Sequence, residues 1–228
     1  MRITLLIVLA LSCFWANAQT AQDTLPEDPR YLEDQFYLGI TYNFLLNKPS
    51  GVNQRNLSYG LQAGFIKDIP LNQDRTLAIG IGLGYGAYSY YSNLSAEEAG
   101  NGFRYRIPAE EENLRRNKIE THMIEMPLEF RWRNSTAASY KFWRIYAGAK
   151  LGYVAGARSK AVFEDYKDSF YNQDVSDFQY GITFNFGYNT FNMHIYYALN
   201  NIFDAATTEA GEDIRLKPLR IGLIFYIL

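Results

Sequence analysis

From residue 36 to its end the chain alternates between an apolar or aromatic position and a small or polar one. It does so in eight separate runs: 36–46, 57–67, 76–90, 118–133, 140–155, 177–188, 191–200 and 217–228. In the first run Phe36, Leu38, Ile40, Tyr42 and Phe44 share one face, and Tyr37, Gly39, Thr41 and Asn43 share the other. A period of two belongs to a strand with unlike faces. Each run supplies the roughly nine to eleven residues that a tilted strand needs to cross hydrocarbon. The connections alternate long and short, as they do when antiparallel neighbours are joined at two unlike ends. A sheet can stand in lipid only with no open edge. The pattern therefore predicts an all-β fold: an eight-stranded antiparallel up-and-down transmembrane β-barrel.

A soluble barrel would carry the same period with its apolar face inward, and the charges decide between the two. Glu125, Glu129, Arg131, Arg144, Lys150 and Arg220 all fall on the polar parity, and no charge falls on the apolar parity within the central spans. An Arg or Lys facing lipid at mid-bilayer costs roughly 2–4 kcal/mol, so its exclusion marks the lipid face. The polar parity then lines the lumen. Runs 118–133 and 140–155 are neighbours, so Glu125 and Glu129 are expected to meet Arg144 and Lys150 across the ladder. Arg131 lies one step further along, and Arg220 reaches into the same space. The interior of an eight-stranded barrel holds side chains and little else. Buried charges are costly unless paired, so a plug of ion pairs is expected, with a narrow gated conduit as the alternative.

Residues 1–18 fit a secretory signal: Arg2, an apolar stretch from Ile3 to Trp15, then Ala16-Asn17-Ala18. Residues 19–35 are polar and aperiodic and read as a flexible periplasmic lead-in, leaving 36–228 as the barrel. No later run approaches the length of an apolar helical span. Cys13 is the single cysteine, so a chain cleaved after Ala18 has no disulfide and no thiolate chemistry. Of 22 basic residues Arg2 leaves with the signal, giving 21 against 24 acidic ones and no basic surplus for nucleic acid. With the N-terminus in the periplasm, both termini and the short links lie inside and the long loops outside an outer membrane.

Nothing in the chain assembles a catalytic, cofactor or metal site. Gly80, Gly82, Gly84 and Gly86 alternate within a strand, without the helix a dinucleotide loop requires. His122 falls on the lipid-side parity near the outer rim, and His194 points into the lumen beside Asn192 and Tyr196 as a hydrogen-bonded filler. Neither faces a nucleophile. The long loops 92–117 and 158–176 mix charges with aromatics, a composition suited to protein contacts on a rigid scaffold. Their candidate contact residues are Phe103, Arg104, Tyr105 and Arg106 in the first and Phe163, Tyr166, Phe170 and Tyr171 in the second.

Five segments carry a family likeness: GFIKDIPLN, IEMPLEFRWR, RIYAGAKLGYV, FQYGITFNFGYNTFNMHIYYALNNIF and LRIGLIFYIL. Through them the chain resembles the PorT-type outer-membrane β-barrel proteins of Gram-negative bacteria. The resemblance implies an eight-stranded barrel with no cofactor and no enzymatic activity. For the members that give the family its name it also implies a part in a secretion and gliding apparatus. Pro127, within IEMPLEFRWR, removes a ladder donor in mid-strand and predicts a bulge there.

Overall fold

The computed structural model describes residues 35–100, 102–134, 142–189 and 191–227. The expected signal peptide lies outside them, as does the expected lead-in except Gln35. Eight long strands make the wall: β1 (Gln35–Leu46), β2 (Tyr59–Pro70), β3 (Leu77–Tyr91), β6 (Arg116–Arg133), β7 (Trp143–Val162), β9 (Phe178–Tyr188), β10 (Phe191–Ala198) and β11 (Lys217–Ile227). Three short strands lie in the long loops: β4 (Ser95–Ala99), β5 (Gly102–Arg106) and β8 (Lys167–Tyr171). Around the wall the order is β6-β3-β2-β1-β11-β10-β9-β7, and β7 pairs again with β6 to close the ring. Every wall pairing is antiparallel, with the first and last strands joined from Phe36↔Ile227 to Leu46↔Lys217. A closed ring leaves no unpaired backbone edge within lipid, so the expected fold is the fold observed.

The faces follow the sequence parity. Leu38, Ile40, Leu61, Leu83, Leu128, Phe130 and Ile182 are among the exposed apolar side chains, while Thr41, Asn43, Gln62, Glu125, Arg131 and Arg220 are buried on the inner face. This is a protein turned inside out relative to a soluble one, which is how a lipid-embedded barrel must look.

Strand ends differ from expectation where a loop continues a ladder. β2 runs on to Pro70, which brings Asp68 out of the expected link and onto the lumen face, opposite Gly80. Gln35 already belongs to β1, so the lead-in ends one residue sooner than expected. β7 continues to Val162 and pairs with β8, so the loop after residue 155 begins as a hairpin.

The bulge expected at Pro127 is absent. β6 keeps one register against β3 from Leu77↔Trp132 to Tyr91↔Lys118. The proline ring is tolerated because it faces Gly82, where a Cβ would lie 3.1 Å from Pro127 Cγ. The irregularity falls higher on the other edge: Met123 pairs with Val154 but His122 pairs with Gly156, leaving Ala155 as the extra residue. From there the inward parity of β7 changes to Ala157, Ser159 and Ala161.

Candidate functional site

The described chain offers two places where chemistry could reside: the charged lumen and the structured cap formed by the long loops above it. In the half of the lumen nearer the cap, Glu125 on β6 is completely buried. It accepts from Lys150 Nζ at 3.0 Å, from Arg220 at 3.4 Å and from the Tyr88 hydroxyl at 2.7 Å. Lys150 also donates to Gln62 Oε1 at 2.6 Å, and Arg220 donates to Tyr90 Oη at 2.9 Å and Gln179 Oε1 at 3.0 Å. The Arg220 guanidinium lies 3.4 Å from the centre of the Tyr88 ring and 4.5 Å from that of Tyr196. Aromatic faces attract a desolvated cation and so share the work of the carboxylate. β6 and β11 are four strands apart by either route round the ring, so the Glu125–Arg220 pair crosses the whole barrel.

In the half nearer the short turns, Arg131 donates to Asp68 at 2.7 Å, to Glu129 at 3.0 Å and to Gln35 at 3.3 Å. Arg133 donates to the other Asp68 oxygen at 2.5 Å and to the Arg75 carbonyl at 2.9 Å. Asn185 donates to Glu129 at 3.0 Å and contacts His194 Nδ1. An apolar layer of Tyr37, Ile66 and Ile224 packs within the same lumen.

The six lumen charges read from the sequence are therefore all buried within the wall, but their partners differ from those expected. Glu125 does meet Lys150. Glu129 meets Arg131 instead of Arg144, whose guanidinium lies 4.5 Å from the Phe142 ring centre and 5.6 Å from that of Tyr226. Asp68 and Arg133 join the cluster beyond those expected: Asp68 lies just past the run 57–67, and Arg133 is the last residue of the run 118–133. Their signal was the continued period of two through Ile66, Asp68 and Pro70 and through Glu129, Arg131 and Arg133.

The cap is a second small core. β4 and β5 form a hairpin, and Tyr105 bridges to Thr208 in the last long loop. Leu94, Tyr105, Phe170, Val175, Phe203 and Leu216 are buried together, with Phe103 stacked on Phe170 at 5.1 Å. Only three of the eight expected contact residues are therefore exposed. Tyr105 and Phe170 are buried and Phe103 is half-buried because the loops fold against one another, while Phe163 is buried and stacks on Tyr166 within its own hairpin. Arg106 is half-buried and clips Glu97 and Glu112. Arg104, Tyr166 and Tyr171 remain exposed.

The Arg106 clip has a defined pH range. Hydrogen bonds from the Arg106 side chain and the Ala109 amide hold the Glu112 carboxyl at about 2, against an ordinary 4.5. A depressed carboxyl contributes stability that is complete above its unfolded value and is lost as pH falls through its folded one. Amide protection in β4 and β5 should therefore hold from pH 7 down to about 4.5 and fall progressively from there through about 2. Loss of protection already near pH 5 would contradict the clip.

The two histidines sit as expected. His122 contacts the Tyr85 hydroxyl on the lipid-facing side, and His194 is buried in the lumen against Asn185. Among the described residues no group of His, Cys, Asp and Glu is arranged to hold a metal.

A family model described as outer membrane protein β-barrel domain matches residues 17–204. No curated protein sequence matches the chain. Among solved structures, one similar chain is Ail, the attachment invasion locus protein of Yersinia pestis, in complex with the heparin analogue sucrose octasulfate. It is 12% identical, with 85% of this chain and 99% of that chain covered and a TM-score of 0.32. A mutant Rhodopseudomonas blastica porin is 9% identical, with 86% and 100% covered and a TM-score of 0.21.

Proposed function

The chain belongs to the outer membrane protein β-barrel domain family, and from that premise we propose that it is a non-conducting, non-enzymatic scaffold whose cap binds another envelope component. The observation that carries this reading is the lumen: among the described residues eight charged side chains are buried there, and the Glu125–Arg220 pair crosses between opposite walls. Such an interior serves rigidity better than passage. The function then falls to the ordered cap, where Arg104 and Tyr166 present an exposed cation and an exposed ring. In this reading the termini and short turns face the periplasm and the cap faces outward, after removal of residues 1–18. The narrower likeness to PorT-type barrels supports a secretion-accessory role for the partner complex.

Extraction from the native membrane in mild detergent tests this. The wild type is expected in a particle larger than one barrel, and the Arg104→Ser/Tyr166→Ser variant as a lone barrel. A lone barrel in both cases would overturn partner binding.

A conduit is the second reading, and one observation favours it. The buried lumen charges are five cations (Arg131, Arg133, Arg144, Lys150, Arg220) and three anions (Asp68, Glu125, Glu129), a surplus of two positive charges. A pore would then prefer anions, and its conductance would change on Lys150→Gln. Silent planar-bilayer recordings of folded protein are expected instead.

A further inference from the structure

Above the lipid-facing band, β6, β7 and β8 continue as a three-stranded sheet whose outward face is basic. Its register defines three rows: Glu120–Arg158–Tyr171, Lys118–Lys160–Ser169 and Arg116–Val162–Lys167. On β6 the outward parity simply continues from Ile124 and Met126. On β7 it does not. Trp143, Ile145 and Tyr153 face lipid, so an unbroken strand would turn Arg158 and Lys160 inward; the extra residue Ala155 turns them outward beside Lys118 and Arg116. Bulges re-aim side chains in this way.

Nine positions thus hold five cations and one carboxylate. Glu120 is engaged by Lys118 at 2.9 Å. Arg158 lies 5.0 Å from the Tyr171 ring centre. Arg116, Lys160 and Lys167 make no ion pair with any described residue. Lys118 stands directly opposite Lys160, and like charges facing across a ladder repel. Beyond the rows, the hairpin tip carries Glu164, tied to Arg115 at 2.7 Å, and Asp165, which bound the basic face on that side.

We propose that this face binds the phosphate groups of an anionic glycolipid in the leaflet on the cap side. Two features select that occupant. The face is continuous with the lipid-exposed surface, since Ile124 and Tyr153 lie four to five residues down the same strands. Its first row thus stands on the order of 10 Å above them, enough to leave the hydrocarbon and enter the polar headgroup region. Its chemistry is also complementary: long Lys and Arg stems can reach down along apolar surface and place their charge at the interface. Each such cation strengthens binding to an anionic lipid surface by about fivefold.

The test uses the full folded chain in phosphatidylcholine vesicles containing a minor fraction of bisphosphorylated lipid A, with retained lipid counted by native mass spectrometry. The wild type is expected to keep lipid A, and Arg158→Gln/Lys160→Gln/Lys167→Gln to lose retention by at least about tenfold. The charge-retaining set Arg158→Lys/Lys160→Arg/Lys167→Arg should keep it. If the triple glutamine protein lacks folded-band gel mobility, Lys160→Gln and Lys167→Gln singly carry the test, each lowering retention about fivefold. Equal retention by wild type and the glutamine variants overturns the proposal. So does displacement of lipid A by millimolar inorganic phosphate, which would mark an ion site and not a lipid one.

Discussion

Glu125→Ala should lower barrel stability by about 3–5 kcal/mol, the cost of removing one partner from a buried charge pair. Glu125 is the shared acceptor of Lys150 and Arg220, and all three are buried. Truncation leaves Lys150 with Gln62 as its hydrogen-bond partner and the Tyr196 ring at 5.8 Å, and leaves Arg220 with Tyr90, Gln179 and two nearer ring faces. Adding Lys150→Met removes the worse-compensated cation and should restore a large part of the loss. Urea titration in vesicles, read by tryptophan emission and gel mobility, measures both. A double variant as unstable as Glu125→Ala would show that the loss came from packing and not from unpaired charge.

The largest effect of a single substitution is expected at the seam. Gly222 on β11 pairs with Thr41 on β1 and His194 on β10. A Cβ at Gly222 would collide with the Ile40 carbonyl oxygen and lie 2.6 Å from Thr41 Cα, both backbone atoms of the neighbouring strand. Backbone in a closed ring cannot step aside without breaking the ladder that closes it. Gly222→Val should therefore leave most of the protein without the folded-band mobility of a closed barrel. Gly156→Ala is the control: it lies in β7, yet a Cβ there meets nothing within 4 Å, and its mobility should match the wild type.

Which face of each strand meets lipid was legible in the sequence because the bilayer enforces it residue by residue. A charge at Ile124 or Leu128 would be removed by selection, so its absence is informative without any knowledge of neighbours. Partner choice inside the lumen was not legible. Adjacent strands could be paired from their order, and Glu125 with Lys150 follows from that. Glu125 with Arg220 depends on strand tilt and stagger across the full ring, which no local pattern encodes. Asp68 hides for a simpler reason: Pro70 and the polar residues after it read as a turn, while the ladder runs to Pro70 itself. In the cap, aromatic residues beside charges read as contact surface. The alternation Phe103-Arg104-Tyr105-Arg106 was nonetheless a strand signal, and the rings on its one parity fill a core that the loops build for themselves. The Ala155 bulge left no mark at all, since nothing about alanine announces an extra residue.

The span from Glu125 to Arg220 also bears on the order in which the wall is made. β6 lies midway through the chain and β11 at its end, so the carboxylate is placed well before the guanidinium that crosses to it. An unfinished wall holds Glu125 against Lys150 and the Tyr88 hydroxyl, with Tyr90 and Gln179 lacking their shared donor. Arrival of β11 supplies that donor and the seam to β1 in one event. Closure is thus registered at the centre of the barrel as well as at its edge: a chain that joined the wrong final strand would satisfy the seam and leave the middle unbalanced.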